Sequence, residues 1–168
     1  MSSLKINNVL ENDPKILVEE FNTYFAKIAE NIKAEIPQSR KKYRSYLPRH
    51  STQNSVYFWP TDPLNVKENT LSSKSKNSTG LDGVSSKKLK SMPDIIFFHF
   101  SEIFNKSMAA GKFVNAFKVA KVVPIHKGGS KTDIGQYRPV SFVSNIGKIL
   151  EKIVKKTLEI FKQKQLLL

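Results

Sequence analysis

Apolar residues recur at steps of three and four along three long stretches of the chain, which is the spacing of one face of an α-helix. The first stretch follows Asp13-Pro14, where an aspartate can cap a helix and a proline fits its first position. Its stripe contains Leu17, Phe21, Tyr24, Ile28, Ala29, Ile32 and Ile36. Because Pro37 stops the pattern, we expect a long amphipathic N-terminal helix over residues 14–36.

The same spacing predicts two more long helices in the second half of the chain. Pro93 opens one that runs to about Ala110, with a stripe made of Ile96, Phe97, Phe100, Ile103, Phe104 and Met108. Asn145 caps the other, with a stripe made of Ile149, Leu150, Ile153, Val154, Leu158 and Phe161. Shorter helices are expected after Asp62-Pro63, after Ser85 or Ser86, and within residues 112–118.

Two short runs, residues 120–126 and 137–143, have the composition of β-strands. Pro124 places the first near a sheet edge, and the second can be its return arm. Residues 127–131 between them predict a flexible basic turn.

Residues 37–55 are polar, basic and aperiodic, which is typical of a linker. The expected fold is α+β and predominantly helical, with a long N-terminal helix, a linker, and then helices around a small β-ribbon.

The net charge of the chain adds a prediction about its partner. The 168 residues carry 28 Lys and Arg against 14 Asp and Glu, a net charge of +14. Residues 1–82 hold 12 basic and 9 acidic side chains, whereas residues 83–168 hold 16 and 5. An excess of this size predicts a polyanionic partner for the second half, and lysine ammonium groups suit phosphate contacts that ignore sequence.

Other residue types exclude several classes of site. There is no cysteine, which rules out disulfides, thiolate metal ligands and thiol nucleophiles. The three histidines are too far apart along the chain to indicate a metal site by spacing alone. The sequence has neither a bilayer-spanning apolar run nor a signal-peptide pattern at its start, so we expect an intracellular, soluble chain with no membrane partner.

From about Leu71 onward, five short blocks occur in a fixed order. They are residues 76–84 (KNSTGLDGV), 111–113 (GKF), 120–127 (AKVVPIHK), 133–141 (with YRPVS at its end) and 149–154 (ILEKIV). Their order and spacing resemble the N-terminal part of the reverse transcriptase domain of non-LTR, LINE-type, jockey-like retrotransposons. The resemblance divides the chain into an N-terminal amphipathic helix (1–36), a basic linker (37–55) and a partial fingers region of a right-hand polymerase (56–168).

The resemblance also implies roles for particular residues. Lys127 and Arg138 match the family's positions that contact the triphosphate of the incoming nucleotide. A flexible lysine and a planar arginine beside a glycine-containing turn are suitable for phosphate oxygens. Further candidates for RNA, DNA or hybrid-duplex contact are Lys112, Lys118, Lys121, Lys131, Lys148 and Lys152. The Gly80–Gly83 turn could bind phosphate through its backbone amides, or be an ordinary turn.

Catalysis in this family needs aspartates that hold two Mg²⁺ ions. Beyond Arg138 the only acids are Glu151 and Glu159, and no Asp-Asp dipeptide occurs. The sequence therefore predicts no metal site, no cofactor and no polymerase activity in this chain, although the full-length family uses Mg²⁺.

Two readings of function remain, a truncated reverse transcriptase fragment or a retained nucleic-acid-binding or helical protein-interaction module. The apolar end, Leu166 to Leu168, suggests a chain cut before the palm. We then expect the last helix to lack cover and to seek that palm or a second copy.

Overall fold

The structure is a computed structural model that describes residues 3–37, 43–46 and 57–163. Most of the expected linker, residues 37–55, therefore lies outside the described residues. The described helices are α1 (Pro14–Glu35), α2 (Pro63–Leu71), α3 (Ser86–Lys90), α4 (Asp94–Ala109), α5 (Asn115–Lys118) and α6 (Asn145–Gln163). The described strands are β1 (Leu4–Ile6), β2 (Val9–Glu11), β3 (Lys121–His126) and β4 (Tyr137–Phe142). The α+β class with helix predominant is confirmed.

Three predicted helix starts are confirmed together with their caps. The Asp13 carboxylate accepts a hydrogen bond from the Lys15 N–H at 2.8 Å. Asp62 does the same for the N–H of Asn65 at 2.7 Å. Capping satisfies backbone donors that have no partner inside a helix, which is why these residues fix where α1 and α2 begin. Ser85 likewise caps α3.

The N-terminal hairpin of β1 and β2 was not predicted. The strands pair antiparallel with Leu4 opposite Glu11. The turn residues Asn7 and Asn8 both have positive φ, 49° and 67°, as a two-residue hairpin turn with the right twist requires. Asparagine adopts a positive φ more readily than most residues do. The Asn-Asn pair is therefore the feature of the sequence that could have indicated this turn.

Contacts divide the chain into two units. The first combines Met1–Leu47 with Val122–Ser141, and the second combines Pro48–Lys121 with Phe142–Leu168. In the first, Leu4, Leu17, Phe21 and Tyr137 form a small core. Only the first half of the α1 stripe is buried, because Ile32 and Ile36 are 52% and 61% exposed. The division at residues 36 and 55 stays a prediction.

The second unit holds the larger core, in which α2, α3, α4 and α6 meet. Its buried residues are Val66, Leu89, Phe97, Phe104, Ile149, Leu150 and Ile153. The expectation that the last helix would lack cover is therefore wrong for Ile149 and Ile153, because α2, α3 and α4 cover them. Leu158 remains 39% exposed. On α4, Ser101 is buried whereas the predicted stripe residue Ile103 is 42% exposed.

The cap of α6 lies one residue earlier than predicted. Ser144 is buried, and its Oγ accepts a hydrogen bond from the Gly147 N–H at 3.3 Å. Asn145 is the first helical residue, which leaves its side chain available for another contact. Within the described residues, no helix combines the length and apolarity needed to cross a bilayer.

Candidate nucleic-acid interface

Lys127 and Arg138 each follow one member of a ring pair in the hairpin made by β3 and β4. The rings of His126 and Tyr137 have centroids 5.2 Å apart, so these two side chains lie on the same face. Side chains alternate between faces along a strand, so Arg138 on β4 points away from that face, and Lys127 is the residue that directly follows β3. Both are exposed, whereas Tyr137 is buried. The hairpin thus presents a lysine and an arginine together to solvent.

The loop that joins the two strands is braced by hydrogen bonds. The Lys127 N–H donates to the Gln136 carbonyl at 2.8 Å, which closes the loop at its base. Gly128 and Gly129 have positive φ, 122° and 80°, a conformation that few other residues adopt. The Tyr137 hydroxyl donates to the Lys131 carbonyl at 2.7 Å. The turn expected to be flexible is therefore tied at both ends, with the Lys131 side chain exposed.

One carboxylate lies within the field of this basic loop. Asp133 Oδ1 accepts a hydrogen bond from the Gly135 N–H at 2.9 Å, and Oδ2 accepts one from the Gln136 amide at 3.2 Å. These two hydrogen bonds, and then the charge of Lys127, lower the pKa of Asp133 below its ordinary value of 3.8. The hydrogen bonds hold the carboxylate within the loop, where its charge partly offsets that of Lys127.

Four of the remaining candidate lysines are exposed in the described structure. These are Lys112, Lys118, Lys121 and Lys148. The Lys118 ammonium donates to Asn115 Oδ1 at 2.9 Å, a local contact on the surface of α5. Exposed ammonium groups with at most local partners can rearrange to meet phosphate at little cost.

Lys152 differs, because it is only partly exposed and its ammonium group is hydrogen-bonded to another helix. It donates to the Ser72 hydroxyl at 2.7 Å and to the Asn69 carbonyl at 3.2 Å, at the C-terminal end of α2. Burial, and then the charges of Lys156 and Lys90, lower the pKa of Lys152 below 10.5. A helix C-terminus attracts a cation, so Lys152 joins α6 to α2. Lys90 and Lys156 are basic neighbours that sequence reasoning did not select.

The loop of residues 76–84 is held by Asn145. The Asn145 amide donates to the Ser78 carbonyl at 3.0 Å and to the Val84 carbonyl at 2.8 Å. Gly80 lies so close to the backbone of residues 143 and 144 that a Cβ there would sit 2.9 Å from it. The Gly83 N–H donates to the Gly80 carbonyl and the Val84 N–H to Asp82 Oδ1, so these amides are already in use.

No group of three or more His, Asp or Glu side chains that could hold a metal ion occurs in the described part of the chain. The first unit therefore carries exposed cations on its braced hairpin, and the second unit carries exposed lysines of its own. Each set has the chemistry to bind phosphates.

Relatives of the chain are polymerases of mobile elements. Over 80 residues, 47% of its length, it is 34% identical to the RNA-directed DNA polymerase from mobile element jockey of Drosophila melanogaster. Over 99 residues it is 31% identical to the jockey polymerase of Drosophila funebris. It is 30% identical over 99 residues to the probable RNA-directed DNA polymerase from transposon BS of Drosophila melanogaster. No family model matches the chain.

The resemblance to the polymerases of non-LTR retrotransposons is thus confirmed, whereas the assignment to their fingers part stays a prediction. Over about half its length the chain is related to the RNA-directed DNA polymerases of non-LTR mobile elements. The matches cover 9% of the first relative and 11% of the other two, so the chain spans about a tenth of their length.

Proposed function

We propose that the chain is a fingers-like part of a reverse transcriptase that binds nucleic acid through phosphates and does not itself transfer nucleotides. The observation that supports the proposal is the exposure of both Lys127 and Arg138 on one hairpin, whose connecting loop is braced by hydrogen bonds. A braced loop keeps both cations in place, so less conformational entropy is lost when phosphate binds.

The charge of other exposed lysines supports the same conclusion. Lys112, Lys118, Lys121, Lys131 and Lys148 are exposed and add to the field of a chain with net charge +14. Contacts of this kind attract any phosphate backbone, because ammonium groups do not distinguish bases. RNA, DNA and hybrid duplexes are the expected partners.

The catalytic part of the proposal follows from the acids. The two metal ions of nucleotidyl transfer need carboxylate ligands, and the sequence beyond Arg138 offers only Glu151 and Glu159. Eight residues apart on α6, these two do not supply the aspartate set of the family. The chain incubated with primer, template, nucleotides and Mg²⁺ or Mn²⁺ should leave the primer unextended; measurable extension would refute this part.

Salt dependence tests the binding. A fluorescent RNA–DNA duplex is titrated with the chain at several salt concentrations, and the logarithm of affinity should fall linearly with the logarithm of salt. The slope is about −0.9 for each phosphate neutralised. The double variant Lys127→Ala/Arg138→Ala should bind the duplex more weakly. Because it contacts two fewer phosphates, its slope should be less negative by roughly two.

A matched control uses two lysines that are not among the proposed phosphate contacts. The double variant Lys27→Ala/Lys33→Ala removes two exposed charges from α1, and should change the slope far less. Binding that does not vary with salt, or an equal change in both double variants, would contradict the proposed surface.

A further inference from the structure

The second unit contains a groove of about 470 Å³ that the proposed phosphate contacts do not use. It lies between the segment that leads into α2, α2 itself and the later turns of α6. Trp59, Thr61, Leu64, Glu68, Lys156 and Ile160 are among the residues that line it. The volume is within the range of small-ligand sites in proteins.

The Thr61 hydroxyl in this groove has no partner among the described residues. Thr61 is only 6% exposed, and its Oγ1 is buried without a hydrogen bond. The backbone around it is fixed, because Asn105 Oδ1 accepts from the Thr61 N–H at 2.7 Å and Asn105 Nδ2 donates to the Thr61 carbonyl at 2.9 Å. Buried polar groups are normally paired, so a hydroxyl held in this way is suited to a polar group supplied by a ligand.

The other side chains indicate what kind of ligand fits. Trp59 is 79% exposed, although a large aromatic ring is usually covered. Leu64 and Ile160 are 65% and 53% exposed and extend the apolar surface. Lys156 supplies a positive charge on the same lining, and Glu68 and Asp62, the cap of α2, supply two negative ones. A flat ring whose polar edge can donate hydrogen bonds matches the tryptophan and the carboxylates, and a phosphate attached to that ring matches Lys156.

We propose that the groove binds one base of a single-stranded nucleic acid, with the base stacked on Trp59 and its phosphate beside Lys156. Thr61 and Glu68 then meet the polar edge of the base, where exocyclic amino groups can donate to a carboxylate. Stacking on exposed aromatic rings is the usual way in which proteins hold unpaired bases. The inference rests on the proposed nucleic-acid binding, because the chain's net charge brings a strand to the groove rather than a neutral peptide.

Trp59 is the only tryptophan of the chain, so its fluorescence reports the groove directly. The chain is titrated with a short single-stranded oligonucleotide and with an abasic oligonucleotide that has the same number of phosphates. The base-bearing strand should quench the fluorescence of Trp59. It should bind roughly tenfold more tightly than the abasic strand, because one base stacks in the groove. The abasic strand should bind through its charge and leave the fluorescence nearly unchanged.

Substitutions in the groove test which side chains hold the base. Trp59→Phe keeps a ring and should keep most of the preference for the base-bearing strand, measured by anisotropy of labelled strands, whereas Trp59→Ala should abolish it. Thr61→Val keeps the shape of the side chain but not the hydroxyl, and should weaken base binding without loss of thermal stability. The matched control is Tyr57→Ala, which removes another exposed ring from the same segment but not from the groove lining.

The possible results separate the two proposals. Equal affinity for base-bearing and abasic strands, with a steep salt dependence, would overturn the groove and leave the phosphate surface intact. Quenching by the uncharged nucleoside adenosine, with no binding of abasic strands at low salt, would support the groove and refute the phosphate surface. No change in Trp59 fluorescence with any of these probes would overturn the groove.

Discussion

Asn145 illustrates how a single side chain can hold a loop that lies more than sixty residues earlier in the sequence. The sequence predicts it to be a helix cap, because asparagine is among the best capping residues. In the structure Ser144 caps the helix. The Asn145 amide instead donates hydrogen bonds to two loop carbonyls, those of Ser78 and Val84. Local preference could not reveal this, since the contact depends on where the tertiary fold brings the 76–84 loop.

Replacing Asn145 should therefore destabilise the second unit. Asn145→Ala removes the donor from the exposed Ser78 carbonyl and from the partly buried Val84 carbonyl, and should lower the free energy of unfolding by about 1–3 kcal/mol. Asn145→Asp should cost at least as much, because its carboxylate faces two carbonyl oxygens, even though a negative charge suits a helix N-terminus. Urea denaturation measures both.

The matched control is Asn115→Ala, at the start of α5, whose side chain accepts an exposed hydrogen bond from Lys118. Its effect should stay within about 0.5 kcal/mol. If the aspartate variant were more stable than the native chain, the side chain would be acting as a helix-end group and not as a loop anchor.

Asp133 predicts a pH dependence for the first unit. Its folded-state pKa lies below the unfolded value of 3.8, so its stabilisation is complete above pH 3.8 and is lost as the pH falls through the folded-state pKa. Asp133→Asn should be less stable than the native chain at neutral pH, and the two should converge in acid. Denaturation midpoints measured from pH 7 to pH 2 test this, and a constant difference across that range would contradict it.

At the scale of elements, helix starts were predicted correctly where a capping residue precedes the helix in the sequence. Asp13, Asp62 and Ser85 cap three helices through contacts within three residues, and such local chemistry can be recognised in a sequence. The hairpin of β1 and β2 was missed because its strands have three residues each, too few for a periodic pattern. The groove beside Trp59 was missed for another reason, since α2 and α6 form it from distant parts of the chain.

The contact between α2 and α6 gives an element-scale prediction. Lys152→Ala removes the ammonium group that binds the end of α2, and should lower the free energy of unfolding by about 1 kcal/mol. Lys148→Ala, one turn earlier on α6 and exposed, should change it by less than about 0.5 kcal/mol. Thermal unfolding of the two variants compares them directly. Equal effects would show that the Lys152 contacts do not stabilise the fold.

At the scale of the whole molecule, the dominant property is the net charge of +14. Like charges repel across a folded chain, so an excess of this size destabilises the compact state while it attracts polyanions. Salt weakens both effects, because the screening length falls from about 30 Å at 0.01 M to about 3 Å at 1 M. Stability and nucleic-acid affinity should therefore respond to salt in opposite directions.

Raising sodium chloride from about 0.05 M to 0.5 M should increase the unfolding temperature by a few degrees while it weakens duplex binding. Differential scanning fluorimetry and the duplex titration, made in the same buffers, measure the two responses. A fall in unfolding temperature would mean that attractive ion pairs outweigh repulsion in the folded chain.

The interleaving of the two units also sets when each can fold. Leu4, Leu17 and Phe21 complete their core only with Tyr137, and the Lys5 N–H bonds the Thr132 carbonyl at 2.8 Å. Val66, Leu89 and Phe97 likewise depend on Ile149 and Leu150. On a ribosome a chain emerges from its N-terminus, so the first core cannot close before Tyr137 has been synthesised, and the second cannot close before Ile149 and Leu150. Until then the early apolar segments are open to chaperones, or to misfolding.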